Sequence, residues 1–151
     1  MPTLRATTWD DPVVAELSAA QQAEVRARYD GAGEPGVPPS ARDVAVVLVA
    51  VDDDGAPVGC GALRPLEPGA GEVKRMYVVP AARGRGIARL VLAGLDQEAL
   101  RRGWSTLRLE TGPRQPEAIG LYTRAGYRPV AAFGSYVGLD DDSLFFAREL
   151  A

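Results

Sequence analysis

Residues 72–88 read Glu-Val-Lys-Arg-Met-Tyr-Val-Val-Pro-Ala-Ala-Arg-Gly-Arg-Gly-Ile-Ala, and this stretch decides how the rest of the sequence is interpreted. It predicts a strand that Pro80 stops, and apolar residues at helical spacing after Gly86 predict a helix that Gly103 ends. The glycine- and arginine-rich turn at 83–86 therefore opens a helix. A helix N-terminus offers unpaired backbone N–H groups and a dipole that favour phosphate. A strand-to-helix connection that needs glycine only for its bend is the alternative.

The whole sequence predicts one mixed α/β domain over residues 1–151, with a largely antiparallel sheet flanked by helices. Residues 30–42 contain too many glycines and prolines for regular structure and are predicted to form a loop. The predicted strands are 3–9, 44–51, 58–63, 72–79, 106–110, 127–132 and 144–150, the predicted helices run from 11 to 31, from 87 to 103 and from 116 to 125, and the predicted turns are 52–55 and 140–142.

Composition excludes several classes of site. The chain has no histidine, which rules out a Ser-His-Asp hydrolase and a histidine-ligated zinc site, and no metal site is expected. Its single cysteine, Cys60, cannot form an intrachain disulfide and has no histidine to activate it as a nucleophile. The longest apolar run, 44–51, is far shorter than the roughly 20 residues that span a membrane. We therefore expect a cytoplasmic protein with no membrane partner.

Charge is distributed unevenly along the chain. Residues 1–72 carry a net charge of −7, residues 73–128 a net charge of +7 and residues 129–151 a net charge of −3. A basic middle segment suggests a polyanionic ligand, and acidic flanks suggest a cationic one; chance clustering of surface charge is the alternative. Nucleic acid is not an expected partner because the sequence pI is about 5.0.

Two further stretches give the turn a specific interpretation. Arg83-x-x-Gly86-x-Ala88, preceded by Val-Val-Pro at 78–80, resembles the acetyl-CoA-binding signature of the GNAT superfamily of N-acetyltransferases. Residues 117–127, Glu-Ala-Ile-Gly-Leu-Tyr-Thr-Arg-Ala-Gly-Tyr, resemble the Ala-x-x-x-Tyr-x-x-x-Gly-Tyr/Phe pattern of the same family. The resemblance implies a mostly antiparallel sheet of about six to seven strands, splayed between the fourth and fifth, and acetyl transfer from acetyl-CoA to an amine without a metal.

The resemblance also implies a set of acetyl-CoA-binding residues. Backbone N–H groups of the turn would hold the pyrophosphate, and the fourth strand would bind the pantetheine arm as an added strand. The amide of Val78 would face the thioester carbonyl and stabilise the oxyanion of a tetrahedral intermediate. Gln115 stands where many members have an asparagine. The implied residues are Met76, Tyr77, Val78, Arg83, Gly84, Arg85, Gly86, Ile87, Ala88, Arg89 and Gln115.

Catalytic roles are implied for a tyrosine and a glutamate. Tyr122 matches the family tyrosine that protonates the departing CoA thiolate, and its alternative is a core tyrosine packed in the helix. An alkylammonium has a pKa near 10, so it must lose a proton before it attacks. Glu72 is the first candidate for the base and Glu110 the second; a water chain could replace either, and both could be exposed strand-end charges.

The acceptor is expected on the side opposite acetyl-CoA, near the first helix and loop 30–42. This region is acidic, which favours a small cationic primary amine as the acceptor. A protein N-terminus or a lysine side chain is another possible acceptor. The alternative is that these acidic residues are only solvated and bind no acceptor. A non-catalytic acyl-CoA binder and an RNA-contacting loop are the rival functions, and the chain is expected to be a monomer or homodimer. The residues on which the acceptor hypothesis depends are Asp10, Asp11 and Glu34, with Trp9, Tyr29, Phe133 and Tyr136 as apolar walls.

Overall fold

The computed structural model describes residues 1–139 and 141–150. The element order is the one that the sequence predicts, with two short 3-10 turns added at Pro80–Ala82 and Gly134–Tyr136. The elements are β1 (Thr3–Thr7), α1 (Pro12–Arg28), β2 (Val46–Val51), β3 (Pro57–Pro65), β4 (Ala70–Val78), α2 (Ile87–Arg101), β5 (Thr106–Thr111), α3 (Pro116–Arg124), β6 (Arg128–Pro129) and β7 (Leu144–Glu149).

The strands form a seven-stranded sheet in the order β1-β2-β3-β4-β5-β7-β6. Every neighbouring pair is antiparallel except β4 and β5, which run parallel. These two strands pair only from Ala70 opposite Thr106 to Glu72 opposite Arg108. Beyond this point they separate, which confirms the predicted mixed α/β fold and its splay between the fourth and fifth strands.

The helices cover both faces of the sheet. Helix α2 buries Val91 and Leu95 in the larger core cluster. Helix α1 packs Val14 and Leu17 on the other face against β2 and β3, next to Cys60. Burial raises the pKa of the Cys60 thiol to about 12, so the thiol stays protonated at neutral pH. The prediction that Cys60 is not a nucleophile is consistent with this environment.

Strand β4 contains a bulge that redirects its second half. Cys60 lies opposite Tyr77 and Ala62 lies opposite Lys74, so two residues of β4 stand against one residue of β3. Arg75, one of those two, has a φ of 57°, which a side-chain-bearing residue seldom adopts. Across from it, a Cβ on Gly61 would lie 2.6 Å from the Met76 sulfur, so a larger residue there would displace the Met76 side chain.

Several predicted boundaries differ from the structure, since β1 ends at Thr7 rather than at residue 9 and β2 begins at Val46 rather than at residue 44. The strand predicted at 127–132 is shortened to Arg128–Pro129, because Pro129 has no backbone N–H and the chain leaves the sheet after one further bond from Val130 to Phe145. Strand β4 begins at Ala70 rather than at residue 72, so the preceding loop is shorter than predicted. Asp140, in the predicted turn 140–142, lies outside the described residues.

Among the described residues, no helix has both the length and the apolar character needed to cross a membrane.

Candidate active site

Two clefts meet where β4 and β5 part, below α1. The turn-side cleft, of about 300 Å³, is lined by the end of β4, by residues 82–84 and 86–89, and by α3. The loop-side cleft, of about 360 Å³, is lined by loop residues 32–35, the bulge of β4 and the end of β5. Both are also lined by α1. The residues that they share are Gln21, Val25, Met76, Gln115, Ala118 and Tyr122.

The turn-side cleft is bounded by the start of α2. Gly84 and Gly86 have φ values of +82° and +78°, and a Cβ on either would meet no heavy atom within 4 Å. The helix cap at Gly86 has no side-chain hydrogen bond, so the first N–H groups of α2 are not satisfied by a cap. These donors and the helix dipole form a site that fits a phosphate-like anion.

Arginine side chains surround this turn. Arg83 donates through Nε to the Val78 carbonyl at 2.9 Å, and its guanidinium lies 5.6 Å from the Tyr77 ring centroid. Its Nη2 also pairs with Glu24 of α1 at 2.6 Å, and this bond holds the pKa of that carboxyl below its usual value. Of the residues implied for acetyl-CoA, Arg85 is exposed and does not line the cleft, whereas all the others do.

Tyr122 lies at the junction of the two clefts. Pro116 begins α3 and Gly126, with a φ of +94°, follows its end, which places this tyrosine on the inner face of the helix. Its side chain is only 6% exposed. Burial and, to a smaller degree, the charge of Glu110 raise its pKa above the usual value. The hydroxyl therefore remains protonated at neutral pH and can donate a proton.

Glu110 is one of the carboxylates that line the loop-side cleft with Tyr122, together with Glu34, Asp141 and Asp142. It lies on β5 beyond the last pair with β4, and its Oε2 accepts a hydrogen bond from Ser143 Oγ at 2.8 Å. Burial raises its pKa above the usual value, although the Ser143 bond and the charge of Lys74 offset part of the increase. A carboxylate in this environment has the properties of a general base.

Glu72 is placed differently from the position that a base requires. It is 1% exposed and lines neither cleft. Its carboxylate accepts a hydrogen bond from Arg64 Nε at 2.8 Å and another from the Tyr136 hydroxyl at 2.5 Å. It also lies where β4 and β5 are still paired. The structure therefore does not bring Glu72 into one cleft with Tyr122.

The residues expected around the acceptor separate into two groups. Tyr29 and Glu34 line the loop-side cleft, and the Tyr29 hydroxyl donates to Gln115 Oε1 at 3.3 Å. The others lie elsewhere: Asp11 caps α1, and Trp9 packs against the guanidinium of Arg75. The remaining residues that do not line this cleft are Asp10, Phe133 and Tyr136.

Besides the exposed Arg114, sequence reasoning missed two cations in the loop-side cleft, Lys74 and Arg75. Lys74 is the only lysine of the chain, and both residues belong to the stretch quoted first. Regular strand alternation would point adjacent side chains to opposite faces, so the sequence pattern gave no reason to place them together. The bulge brings both to Glu34, 3.1 Å from Lys74 Nζ and 2.5 Å from Arg75 Nη2.

Comparison with known protein families identifies the class of protein to which this fold and this pair of clefts belong. The profile of the acetyltransferase (GNAT) family matches residues 6–127, and the chain belongs to that family. An IAA acetyltransferase of Azospirillum brasilense is 46% identical over 97 residues, which are 64% of this chain and 63% of that relative. The alignment thus spans less than two thirds of that relative's length.

Solved structures share this fold over almost the full chain. A Klebsiella pneumoniae protein assigned to the acyl-CoA N-acyltransferases superposes with a TM-score of 0.85 and 36% identity, covering 100% of this chain and 99% of that one. A GNAT family acetyltransferase of Elizabethkingia anophelis with acetyl-CoA bound has a TM-score of 0.71 at 18% identity, covering 99% and 98% of the two chains. The second likeness concerns the fold alone.

Proposed function

We propose that this protein transfers an acetyl group from acetyl-CoA directly to a small primary amine. The observation that carries the proposal is the junction of two clefts at Tyr122, with a glycine turn at the start of α2 on one side and Glu110 on the other. One cleft suits a long anionic donor, and the other suits a small acceptor. Family membership supports acyl-CoA as the donor.

The turn-side cleft holds the donor. Backbone N–H groups between Arg83 and Arg89 bind its pyrophosphate, in keeping with their position at an uncapped helix N-terminus. Residues Met76–Val78 bind the pantetheine arm along the part of β4 that β5 has left. The Val78 amide is our candidate for stabilising the oxyanion. Because the amine attacks without a covalent acyl-enzyme, these contacts act by positioning.

Proton transfer is divided between two residues. Glu110 accepts a proton from the incoming ammonium group, because burial raises its pKa, whereas Glu34 of the same cleft is paired with Lys74 and Arg75 and has a lowered pKa. Tyr122 donates a proton to the departing thiolate, because its protonated hydroxyl belongs to the side chain that lines both clefts. Glu72, our first candidate from the sequence, holds Tyr136 and Arg64 in place instead.

The Glu110→Gln variant is expected to lower kcat/KM by about 100-fold, because it removes the general base. Glu110 acts when ionised, so activity of the unmodified protein should be lost as pH falls through its pKa. Burial puts that pKa above the ordinary value of about 4.3. The variant should lack this acid limb and keep the limb due to the amine. Glu149→Gln, at an exposed strand glutamate, is the matched control. A pH profile that is unchanged in the Glu110→Gln variant would remove Glu110 from the mechanism.

A screen of primary amines, read by CoA release and by the mass of the acetylated product, tests the function itself. Turnover with at least one amine is the expected result. Acetyl-CoA binding with no turnover on any amine would instead favour the non-catalytic acyl-CoA binder.

A further inference from the structure

The bulge of β4 builds a site for a carboxylate. Adjacent residues of a regular strand point to opposite faces, but the extra residue at Arg75, with its φ of 57°, breaks the alternation. Lys74 and Arg75 consequently lie on the same face of the sheet. Lys74 Nζ is 3.1 Å from one carboxylate oxygen of Glu34, and Arg75 Nη2 is 2.5 Å from the other. Backbone strain of this kind persists where the surrounding structure enforces it.

Buried neighbours fix both cations in position. Lys74 Nζ donates to the Tyr136 hydroxyl at 3.1 Å, and that hydroxyl donates to Glu72, which Arg64 also holds. Arg75 donates to Ser18 of α1 and lies 5.5 Å from the Trp9 ring centroid. The cationic half of the site is therefore part of the rigid sheet and of the helix packed on it.

The anionic half comes from an irregular segment. Glu34 lies between α1 and β2, where no regular element forms, and its neighbours are Gly33 and Pro35. Burial alone would raise its pKa, but Lys74 and Arg75 outweigh that effect and lower the pKa below the usual value. Glu34 and both cations line the loop-side cleft with Glu110. A carboxylate of the chain thus occupies a two-cation site inside the acceptor cleft.

We infer that the acceptor carries a carboxylate as well as its primary amine, and that this carboxylate takes the place of Glu34 between Lys74 and Arg75. The inference rests on the proposed function, and it identifies the substrate class as amino acids or similar zwitterions. The ammonium group of the acceptor then faces the negative charge of Glu110, while its carboxylate contacts the positive charges of Lys74 and Arg75. An amine without the acid group leaves Glu34 paired with both cations and gains none of the charge-assisted hydrogen bonds that the acid forms there.

The carboxylate site is tested first by chemical rescue with acetate, which requires no knowledge of the acceptor. Thermal unfolding of Glu34→Ala is measured in about 100 mM sodium acetate and in sodium chloride of equal ionic strength. Acetate should raise the midpoint of this variant by about 3 °C or more, because it fills the vacated site. The unmodified protein and the double variant Glu34→Ala/Lys74→Met should show no such difference.

Glu67→Ala is the matched control for the rescue, because Glu67 is also an arginine-paired loop glutamate but lines neither cleft. Acetate should not rescue it. Glu34→Ser, which also vacates the site, replaces Glu34→Ala where the alanine variant does not fold. An equal acetate effect in all variants, or none in any, overturns the inference.

The acceptor class is tested on the unmodified protein with matched amines, for example phenylalanine, phenylalaninamide and phenethylamine, repeated across the common amino acids. The preferred acid should exceed its amide in kcat/KM by about tenfold or more. Lys74→Met should reduce that ratio to about threefold or less while acetyl-CoA affinity is kept. Acetylation of amides and simple amines at least as fast as the acids overturns the inference and leaves the proposed function intact. No turnover on any amine with acetyl-CoA bound overturns both.

Discussion

Replacement of Tyr122 by phenylalanine is expected to lower kcat by about 100-fold or more while the Kd for acetyl-CoA changes by less than about threefold. The lost hydroxyl acts only when the thiolate departs, so its removal affects the transition state and not donor binding. Phenylalanine fills the same buried position in α3, so the packing against Tyr127, at a ring distance of 5.7 Å, is retained. Steady-state kinetics and titration calorimetry measure the two quantities.

Tyr127→Phe is the matched control for this prediction. Tyr127 is a buried neighbour whose hydroxyl has no hydrogen-bond partner among the described residues, and it lines neither cleft. Its replacement should leave kcat within about twofold, because no polar interaction is lost. A kcat that is unchanged in Tyr122→Phe, or lowered equally in both variants, would contradict the role of Tyr122 as the acid.

The Gly86→Val variant is expected to weaken acetyl-CoA binding by about 100-fold. Gly86 caps α2 with a φ of +78°, a conformation that a β-branched residue resists, and its missing side chain leaves the N–H groups of α2 open. Valine would both shift this backbone and cover the donors that hold the pyrophosphate. Loss of even one or two charge-assisted hydrogen bonds accounts for an effect of this size.

Gly103→Val separates that effect from general destabilisation. Gly103 follows α2 with a φ of +77°, and a Cβ there would also meet no heavy atom within 4 Å. Both variants should therefore lose about 1–2 kcal/mol of unfolding free energy from backbone strain alone. Only Gly86→Val should lose acetyl-CoA affinity. Normal binding by a folded Gly86→Val protein would refute the assignment of the turn to the donor phosphates.

The order of elements could be predicted because local signals agree with the final fold. Asp11 and Pro12 mark the start of α1, and glycines with positive φ follow the ends of α2 and α3. The splay of the sheet, unlike the order of elements, could not be predicted from local signals, because no local pattern indicates where two parallel strands separate. Its prediction came from the resemblance to the GNAT superfamily. The strand predicted at 127–132 is reduced to two residues in the structure, although its sequence pattern is strand-like. Pro129 has no backbone N–H to donate to the neighbouring strand, and this outweighs the pattern.

The choice between Glu72 and Glu110 could not be made from the sequence. Both are glutamates on neighbouring strands, and their roles depend on the register, which pairs Glu72 with Arg108. Glu110 is two residues further along β5, beyond the last pair, so it reaches the cleft. Glu72 meets Tyr136, which is 64 positions away in sequence. A contact of that separation leaves no local signal.

The site at Lys74 and Arg75 was missed for a related reason. A G1 bulge has glycine at a positive φ, whereas here an arginine adopts a positive φ, so the sequence shows an ordinary strand. Lys74 is the only lysine of the chain, but the sequence does not show that it is buried. Its burial becomes clear only from its contacts with Glu34 and Tyr136 in the structure.

Thermal unfolding with and without acetyl-CoA tests the central claim, that this fold binds the donor in the turn-side cleft, most directly. A ligand at 100 times its Kd stabilises the folded state by about 2.7 kcal/mol. For a chain of this size the midpoint should rise by roughly 5–10 °C, and Gly86→Val should lose most of that rise while Gly103→Val keeps it. No rise at millimolar acetyl-CoA, or an equal rise in Gly86→Val, would contradict the account.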